Sequence, residues 1–230
     1  MVKIQVVIIG GPTASGKTSI ALRLIETLQK NKVKISVVKI DCLNTDDHET
    51  YKKLGVNAIF GLSQDICPDH FLATNFIEIY QYGKDNNSNV LIIETAGLCN
   101  RCAPFLNETL NICLIDAFSS FKTPKKMGPM LTTADIMVIT KWDMISRCEK
   151  DVLKYNIKEL NPTAKIIEMN GVSGYGKQAL SKEVLASRSL ESLEGSILKH
   201  QMPCATCSYC AGETRIGKEF EQGIVSKIFY

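Results

Sequence analysis

The segment Gly11–Thr18 constrains the fold more than any other part of this sequence. It reads Gly-Pro-Thr-Ala-Ser-Gly-Lys-Thr, which matches the pattern G-x-x-x-x-G-K-[ST]. A Val/Ile-rich run, Ile4–Ile9, precedes the segment, and the helix-like stretch Lys17–Gln29 overlaps its end. In such a strand–loop–helix setting, backbone N–H groups surround phosphate oxygens and the helix N-terminus adds partial positive charge. The motif therefore predicts a phosphate-binding loop in an α/β domain.

The residues of this loop have distinct predicted roles. Lys17 is expected to reach the β- and γ-phosphates of a nucleotide, and the Thr18 hydroxyl is expected to coordinate Mg²⁺. A second stretch, Gly171–Lys177, has a similar spacing, but Gln178 stands where the Mg²⁺ ligand would be. We predict that this second stretch is a loop at the edge of the nucleotide. The other predicted nucleotide contacts of the first loop are Gly11, Ala14, Ser15, Gly16 and Ser19.

Short apolar runs alternate with amphipathic segments along most of the chain. The runs are nearly continuous in Val, Ile and Leu, as in parallel strands that are buried on both faces. This alternation predicts a doubly wound, mostly parallel sheet in a three-layer α/β/α arrangement. The predicted strands are Ile4–Ile9, Ile35–Ile40, Val90–Thr95, Ile112–Asp116, Ile136–Thr140 and Ile166–Met169. The predicted helices are Lys17–Gln29, Asp46–Leu54, His70–Tyr82, Glu149–Leu160 and Lys177–Leu190.

Composition and charge narrow the class of protein. The 230 residues are 45% hydrophobic and 22% charged, which favours a globular chain over a disordered one. The net charge of +3 is too small to indicate nucleic acid or an anionic membrane as a partner. The apolar runs are shorter than the roughly 18 residues of a membrane span, and the apolar start does not resemble a signal peptide. We therefore expect a cytoplasmic protein in which the grouped cysteines among the nine serve as metal or cluster ligands.

The composition changes near Leu198, after which cysteines and glycines become frequent. We predict a P-loop domain over residues 1–198 and a Cys-rich metal- or cluster-binding tail over residues 199–230. The tail is too small for a hydrophobic core of its own. It must therefore dock on the main domain, bind a metal, pair with another chain or stay mobile.

Further motifs follow the later predicted strands. Glu94 ends a buried run, where a charge costs several kcal/mol unless it is paired or linked to a metal. Gly97 follows it, and its N–H group could sense the γ-phosphate. The order of these motifs, continued by Thr140-Lys141-Trp142-Asp143 and the loop at 171–176, resembles that of GTPases.

This resemblance assigns the base-binding residues. In GTPases the aspartate of the [NT]-K-x-D motif accepts two hydrogen bonds from guanine, which adenine cannot supply. By resemblance, Asp143 selects guanine and Lys141 packs along the base. The same resemblance adds Thr140, Val172 and Ser173 to the predicted nucleotide contacts.

In more detail, the chain resembles the SIMIBI-class metallochaperone GTPases that mature nickel enzymes, namely the urease and hydrogenase accessory proteins. Glu94 in place of an Asp, a switch-like segment beginning at Asp41, and Cys67-Pro68-Asp69-His70 carry this resemblance. It implies that Lys17, Asp41 and Glu94 are catalytic, that Thr18, Asp41 and Glu94 hold Mg²⁺, and that GTP promotes a homodimer. Asp69 departs from the Cys-Pro-His site of the urease branch, and the C-terminal tail is unfamiliar.

Three groups of residues are candidate ligands for a transition metal or an iron–sulfur cluster. Cys204, Cys207 and Cys210 have the C-x-x-C-x-x-C spacing that is common in iron–sulfur ligation, although zinc or nickel would also accept three thiolates. Cys99 and Cys102 follow Gly97 directly, so a metal bound there would respond to the nucleotide state. Cys67 and His70 form the third group, and two ligands per chain suit a site shared between two protomers.

Together these features predict a GTP-hydrolysing accessory protein that couples nucleotide state to metal or iron–sulfur handling in the maturation of a metalloenzyme. Its expected partners are the client enzyme or another maturation factor, and intrinsic hydrolysis is expected to be slow because the sequence identifies no arginine finger. The main alternative is an ATP-dependent iron–sulfur reductase similar to nitrogenase reductase, against which Asp143 argues. A zinc-stabilised nucleotide sensor and a small-molecule kinase are further alternatives.

Overall fold

The computed structural model describes residues 3–43, 47–97, 103–201, 212–221 and 223–229, and within them eight strands form one sheet with helices on both faces. The strands are β1 (Ile4–Gly10), β2 (Ile35–Asp41), β3 (Asn57–Leu62), β4 (Val90–Glu94), β5 (Leu110–Asp116), β6 (Ile136–Thr140), β7 (Lys165–Met169) and β8 (Ser189–Leu190). The helices are α1 (Lys17–Lys30), α2 (Asp47–Lys53), α3 (Pro68–Ala73), α4 (Phe76–Asp85), α5 (Thr123–Lys126), α6 (Pro129–Thr132), α7 (Arg147–Leu160) and α8 (Lys177–Ala186).

The sheet has the strand order β3-β2-β4-β1-β5-β6-β7, and these seven strands run parallel. The short strand β8 pairs antiparallel with the first residues of β1, where Ile4 faces Leu190. Because parallel strands end at the same edge, the loops after β1, β2, β4, β6 and β7 all open on one side of the sheet. Ligands of open α/β sheets bind at this carboxyl edge. The predicted fold class is thereby confirmed.

The core lies in two layers, one on each face of the sheet. Successive side chains of a strand point to opposite faces, and in β1 Ile8 belongs to one buried cluster while Val7 and Ile9 belong to the other. Helix α1 covers the second layer with Ile20, Leu24 and Leu28, and α4 covers the first with Phe76 and Ile79. This division produces the predicted three-layer arrangement.

Two predicted boundaries hold closely because their local chemistry is strong. Helix α7 begins with a capping box, in which Ser146 Oγ accepts from the Glu149 N–H and the Ser146 N–H donates to Glu149 Oε2 at 2.7 Å. Such a cap satisfies N–H groups that a helix start leaves unpaired. Strand β4 ends at Glu94, one residue before the predicted end.

The predicted helix His70–Tyr82 was wrong as a single element. The structure has α3 and α4 in its place, separated at Thr74 and Asn75. Asn75 Nδ2 donates to the carbonyl oxygens of Phe71 at 2.7 Å and Ser226 at 2.8 Å, and its Oδ1 accepts from the Ile228 N–H. A long-range contact with the C-terminal residues therefore occupies the break, and no local pattern announces it.

Two other elements also differ from the prediction. The predicted helix Lys177–Leu190 was too long, since α8 ends at Ala186 and the chain then forms β8 against β1. Strand β3 was not predicted at all. It is an edge strand in which only Ala58 and Gly61 are buried, and a glycine within a strand weakens the sequence signal.

The described part of residues 199–230 packs against the main domain. The Leu198 N–H donates to the Thr214 carbonyl oxygen at 2.8 Å, and Ile216 and Ile228 are buried in the same core layer as Ile8. These residues therefore dock on the main domain, which is one of the predicted alternatives. The domain boundary at residue 198 stays a prediction. None of the helices in the described ranges is both long and apolar enough to span a bilayer.

Candidate nucleotide site

The predicted phosphate-binding loop connects β1 to α1 at the carboxyl edge of the sheet. Its backbone has positive φ angles at Gly11 (138°), Ala14 (60°) and Gly16 (90°). Lys17 Nζ donates to the carbonyl oxygens of Gly11 at 3.0 Å and Pro12 at 2.9 Å, so the ammonium group lies over the loop. Burial lowers the pKa of Lys17, and the nearby negative charge of Glu94 opposes this effect. The loop thus presents a buried cation at the start of a helix, as phosphate binding requires.

Gly97 brings the end of β4 against this loop. A Cβ atom at Gly97 would lie 2.0 Å from the Gly11 carbonyl oxygen and 2.5 Å from Lys17 Nζ, and its φ is +75°. Only glycine allows this approach. The backbone after β4 therefore lies within reach of any phosphate that Lys17 binds, which is the position predicted for a γ-phosphate sensor.

Glu94 is fully buried and lies at the centre of a hydrogen-bond network. Its Oε1 accepts from Thr18 Oγ1 at 2.8 Å and from Lys39 Nζ at 2.7 Å, and its Oε2 accepts from the hydroxyl of Tyr51 on α2. A buried carboxylate is tolerated when it is paired and hydrogen-bonded in this way. The network connects the phosphate-binding loop, β2, β4 and α2 through one side chain.

A cavity of about 350 Å³ opens beside this network. It contains Lys17, Thr18, Asp41 and Glu94, which are the predicted phosphate and Mg²⁺ residues, together with Lys39. The remaining lining residues are Thr13, Ala14, Gly16, Ser19 and Ala96. The structure therefore brings the predicted catalytic residues together at one edge of the sheet.

The predicted base-selecting residue, Asp143, follows β6 in a single 3₁₀ turn and is exposed. Its Oδ1 accepts from Asn170 Nδ2 at 2.8 Å. Asn170 Oδ1 in turn accepts from the N–H groups of Val172 and Ser173, at 2.8 Å each. Asn170 therefore fixes Asp143 relative to the loop at 171–176, so the two segments predicted to contact the base lie together.

Lys141 of the Thr140–Asp143 motif contacts the end of β5. Its backbone has a positive φ of 54°, and its Nζ lies 2.5 Å from Oδ2 of Asp116 at the end of β5. Thr140 Oγ1 donates to the Ser15 carbonyl oxygen at 2.8 Å. These contacts attach the predicted base-binding motif to both β5 and the phosphate-binding loop.

Arg23 connects the loop at 171–176 to α1. Its Nε donates to the Gly171 carbonyl oxygen at 2.9 Å and its Nη2 to the Val172 carbonyl oxygen at 2.8 Å. Its Nη1 pairs with Glu26 on the same helix. Since α1 begins at the phosphate-binding loop, Arg23 fixes the distance between the two ends of the candidate nucleotide site.

Five of the candidate metal ligands are cysteines in two segments of the chain, one after β4 and one near the C-terminus. Cys99, Cys102, Cys204, Cys207 and Cys210 lie outside the described residues, so their predicted roles stay predictions. Among the residues that are described, no three His, Cys, Asp or Glu side chains cluster closely enough to hold a metal ion.

Cys67 and His70 belong to the start of α3, where Cys67 is half-buried and His70 is buried. Asp69 between them is 1% exposed, and neither of its carboxylate oxygens has a hydrogen-bond partner in the described part of the chain. Burial raises the pKa of Asp69 to about 7. The residue that departs from the Cys-Pro-His pattern of the urease branch is thus a buried carboxyl group without a hydrogen-bond partner among the described residues.

Sequence reasoning missed Lys39, Tyr51, Asn170 and Arg23. Lys39 carries a usable signal, because a lysine inside an otherwise apolar strand needs a buried partner. Asn170 also carries a sequence signal, since an Asn directly after a strand and before a glycine-rich loop favours an Asx turn. Tyr51 and Arg23 act through contacts across the fold that no local pattern indicates.

Comparison with known proteins agrees with this geometry. The sequence profile of the nucleotide-binding domain called CobW/HypB/UreG matches residues 5–168, which is more than half of the chain. The chain belongs to the CobW/HypB/UreG family. The match spans the phosphate-binding loop, Glu94 and Asp143, so the predicted membership of the SIMIBI P-loop GTPases that include maturation chaperones is confirmed.

Individual known proteins are similar to this chain over most of its length. An uncharacterized protein of Methanocaldococcus jannaschii is 47% identical over 224 residues, covering 97% of this chain and 96% of its own. The urease accessory protein UreG of Yersinia enterocolitica is 29% identical over 192 residues, covering 77% of this chain and 86% of its own. The crystal structure of HypB from Helicobacter pylori in complex with nickel has a TM-score of 0.65 at 23% identity, covering 80% and 86%.

Proposed function

We propose that this protein binds and hydrolyses GTP at the cavity beside the phosphate-binding loop, and that the nucleotide state controls metal handling during maturation of a metalloenzyme. The observation that carries the nucleotide part is the position of Asp143. Asn170 holds it at the same edge of the sheet as Lys17, Thr18 and Glu94.

Guanine is the base that this arrangement favours. Asp143 is exposed and acceptor-only when ionised, and guanine offers an N1–H and a 2-amino group on one edge. Adenine lacks that pair of donors, so its binding would leave the carboxylate poorly partnered. The same argument stands against the ATP-dependent alternative.

The hydrolysis step needs positioning and charge stabilisation more than covalent chemistry. Lys17 and the loop N–H groups bind the β- and γ-phosphates, and Asp41 orients the attacking water. The water oxygen bonds to the γ-phosphorus, the bond from that phosphorus to the β–γ bridging oxygen breaks, and GDP and inorganic phosphate leave. Arginine fingers accelerate this step strongly in related enzymes. We expect slow intrinsic hydrolysis, because the sequence identifies no such arginine.

The donor set fits Mg²⁺. Thr18 offers a hydroxyl oxygen, and Asp41 and Glu94 offer carboxylate oxygens on the same cavity. Hard oxygen ligands of this kind suit Mg²⁺, which keeps part of its water shell. When bound, Mg²⁺ would neutralise charge on the phosphate oxygens.

The metal-handling part rests on the family and on the cysteines. Relatives include urease accessory proteins, and one similar structure is a HypB in complex with nickel. We propose that Cys204, Cys207 and Cys210 bind an iron–sulfur cluster, zinc or nickel as cargo. We further propose that Cys99 with Cys102, and Cys67 with His70, contribute to sites shared in a GTP-dependent homodimer. A client metalloenzyme or another maturation factor would receive the cargo.

Phosphate release measured at saturating nucleotide tests the hydrolytic part. The wild-type protein with Mg²⁺ should release phosphate from GTP at a slow but measurable rate and from ATP at no more than background. Lys17→Met should abolish the GTP signal, while Lys34→Met, an exposed lysine just before β2, should leave it unchanged. Equal rates with ATP, or release that survives Lys17→Met, would contradict the proposal.

A further inference from the structure

A second lysine lines the candidate phosphate cavity. Lys39 is the fifth residue of β2 and is 4% exposed, and its side chain points into the cavity that contains Lys17 and Thr18. Residues two apart on a strand share a face, so Lys39 lies on the same face of β2 as Asp41. Both side chains therefore project from the end of β2 toward the candidate nucleotide.

The pairing of the strands places Lys39 beside Glu94. In the register of β2 with β4, Lys39 lies directly opposite Glu94, and their side chains meet at 2.7 Å with 5% and 1% exposure. Burying both charges costs several kcal/mol per ion unless the pair is well compensated. The oxygen that Lys39 contacts, Glu94 Oε1, also accepts from Thr18, so the ammonium group shares its partner with a predicted Mg²⁺ ligand.

The strand order places Lys39 on the terminal-phosphate side of the site. The base-binding residues follow β6 and β7, which lie on the β5 side of β1. Strands β4 and β2 lie on the opposite side of β1. A nucleotide with its base at Asp143 and its phosphates on the loop after β1 therefore extends its last phosphate toward Glu94 and Lys39.

The charges at this end favour an anion with more than one charge. Lys17 and Lys39 are close enough that the ammonium of Lys39 contributes to lowering the pKa of Lys17, although burial is the larger cause. Glu94 and Asp41 balance these two cations. Addition of Mg²⁺ would leave the pocket net positive, which suits the extra phosphate that distinguishes GTP from GDP.

We propose that Lys39 is the residue of this chain that distinguishes GTP from GDP: its ammonium group holds Glu94 in the absence of nucleotide and contacts the γ-phosphate oxygens when GTP is bound. This inference rests on the proposed function, because it takes the cavity to be a GTP site. It gives the chain an internal cation at the position where the transferred phosphoryl group carries charge, in addition to Lys17.

The test compares affinities for GDP and for a GTP analogue with a β,γ-imido bridge, each with Mg²⁺, by equilibrium titration. Lys39→Met should weaken analogue binding at least about tenfold relative to GDP binding, as expected for a lost charge-assisted hydrogen bond. Lys39→Arg should keep most of the wild-type preference for the analogue over GDP, and Lys34→Met should keep this preference unchanged. The readout is the ratio of the affinity for the analogue to the affinity for GDP within each variant. A change in the folded fraction does not alter this ratio.

A purely structural ion pair would change both affinities equally, so an unchanged ratio in Lys39→Met overturns the inference. If that variant does not fold, Lys39→Gln replaces it, because an amide can still donate to Glu94 Oε1 without carrying charge. Lys39→Gln should show the same loss of the ratio, and retention of the wild-type ratio overturns the inference. Guanine-selective binding with an unchanged ratio leaves the proposed function intact, whereas a wild-type protein that binds no guanine nucleotide overturns both.

Discussion

Asn170 donates from Nδ2 to Asp143 Oδ1 at 2.8 Å, and its own Oδ1 accepts from the N–H groups of Val172 and Ser173. One amide thus joins the residue predicted to select the base to the loop predicted to cover it. Asp143 is exposed, so without this bond its carboxylate would be free to adopt other rotamers. The orientation of Asp143 is therefore a property of the fold after β7 as much as of the motif after β6.

Asn170→Ala should weaken GDP binding about tenfold or more, because it removes a hydrogen bond to a charged group and two loop contacts. Isothermal titration with GDP measures the change. Pyrophosphate binding, which does not involve the base, should stay within about twofold. Asn86→Ala, at the end of α4, is the matched control and should behave as wild type. Equal losses for GDP and pyrophosphate would show that Asn170 does not act through the base.

Arg23→Met should speed GDP dissociation several-fold, since it releases the loop at 171–176 from α1 while keeping the length of the side chain. Stopped-flow displacement of a fluorescent GDP gives the rate. Glu26→Gln is the control, because it removes the ion pair of Arg23 but leaves its bonds to Gly171 and Val172 in place. The role of Arg23 as a link between the two ends of the site fails if both variants release GDP alike.

Tyr51→Phe should lower the free energy of unfolding by about 1–2 kcal/mol, because the buried Oε2 of Glu94 loses a hydrogen-bond donor. It should also increase hydrogen exchange in α2, which follows the predicted switch segment. Tyr80→Phe removes another buried tyrosine bond, to the Leu190 carbonyl oxygen at 2.7 Å, and should lower stability without affecting α2. Unchanged exchange in α2 of the Tyr51 variant would contradict the link between α2 and Glu94.

Replacement of Cys204, Cys207 and Cys210 by Ser should abolish binding of the proposed cargo, since serine is a poor ligand for soft metals. The measurement is anaerobic purification followed by analysis of iron, zinc, nickel and acid-labile sulfide. Cys148→Ser, an exposed cysteine on α7, is the control. Wild-type protein purified without any metal and unable to take one up would contradict this part of the proposal.

The fold and the nucleotide motifs were largely predictable because their signals are local. The phosphate-binding loop is one continuous pattern, and strands such as β4 are uniformly apolar until a single charged residue. The break at Asn75 and the edge strand β3 depend instead on partners far along the chain. The local periodicity of a sequence does not depend on such distant partners, so the prediction failed at these two places.

Single residues of the candidate site also differ in whether a local motif or a distant partner determines their role. Lys17, Thr18 and Asp143 follow from motif spacing. Lys39 and Asn170 matter because the strand register places one opposite Glu94 and because the loop after β7 places the other next to Asp143. Register and loop approach are properties of the assembled sheet, so the sequence signals at these two residues do not reveal which partners they contact.

Equilibrium titration of the wild-type protein with fluorescent GDP and ADP, alongside Asp143→Asn, tests the central claim most directly. The account predicts that GDP binds at least about 100-fold more tightly than ADP, as expected where a site's polar groups are left unpaired by the wrong base. It also predicts that Asp143→Asn removes most of this preference. Equal or tighter binding of ADP by the wild-type protein would contradict the account.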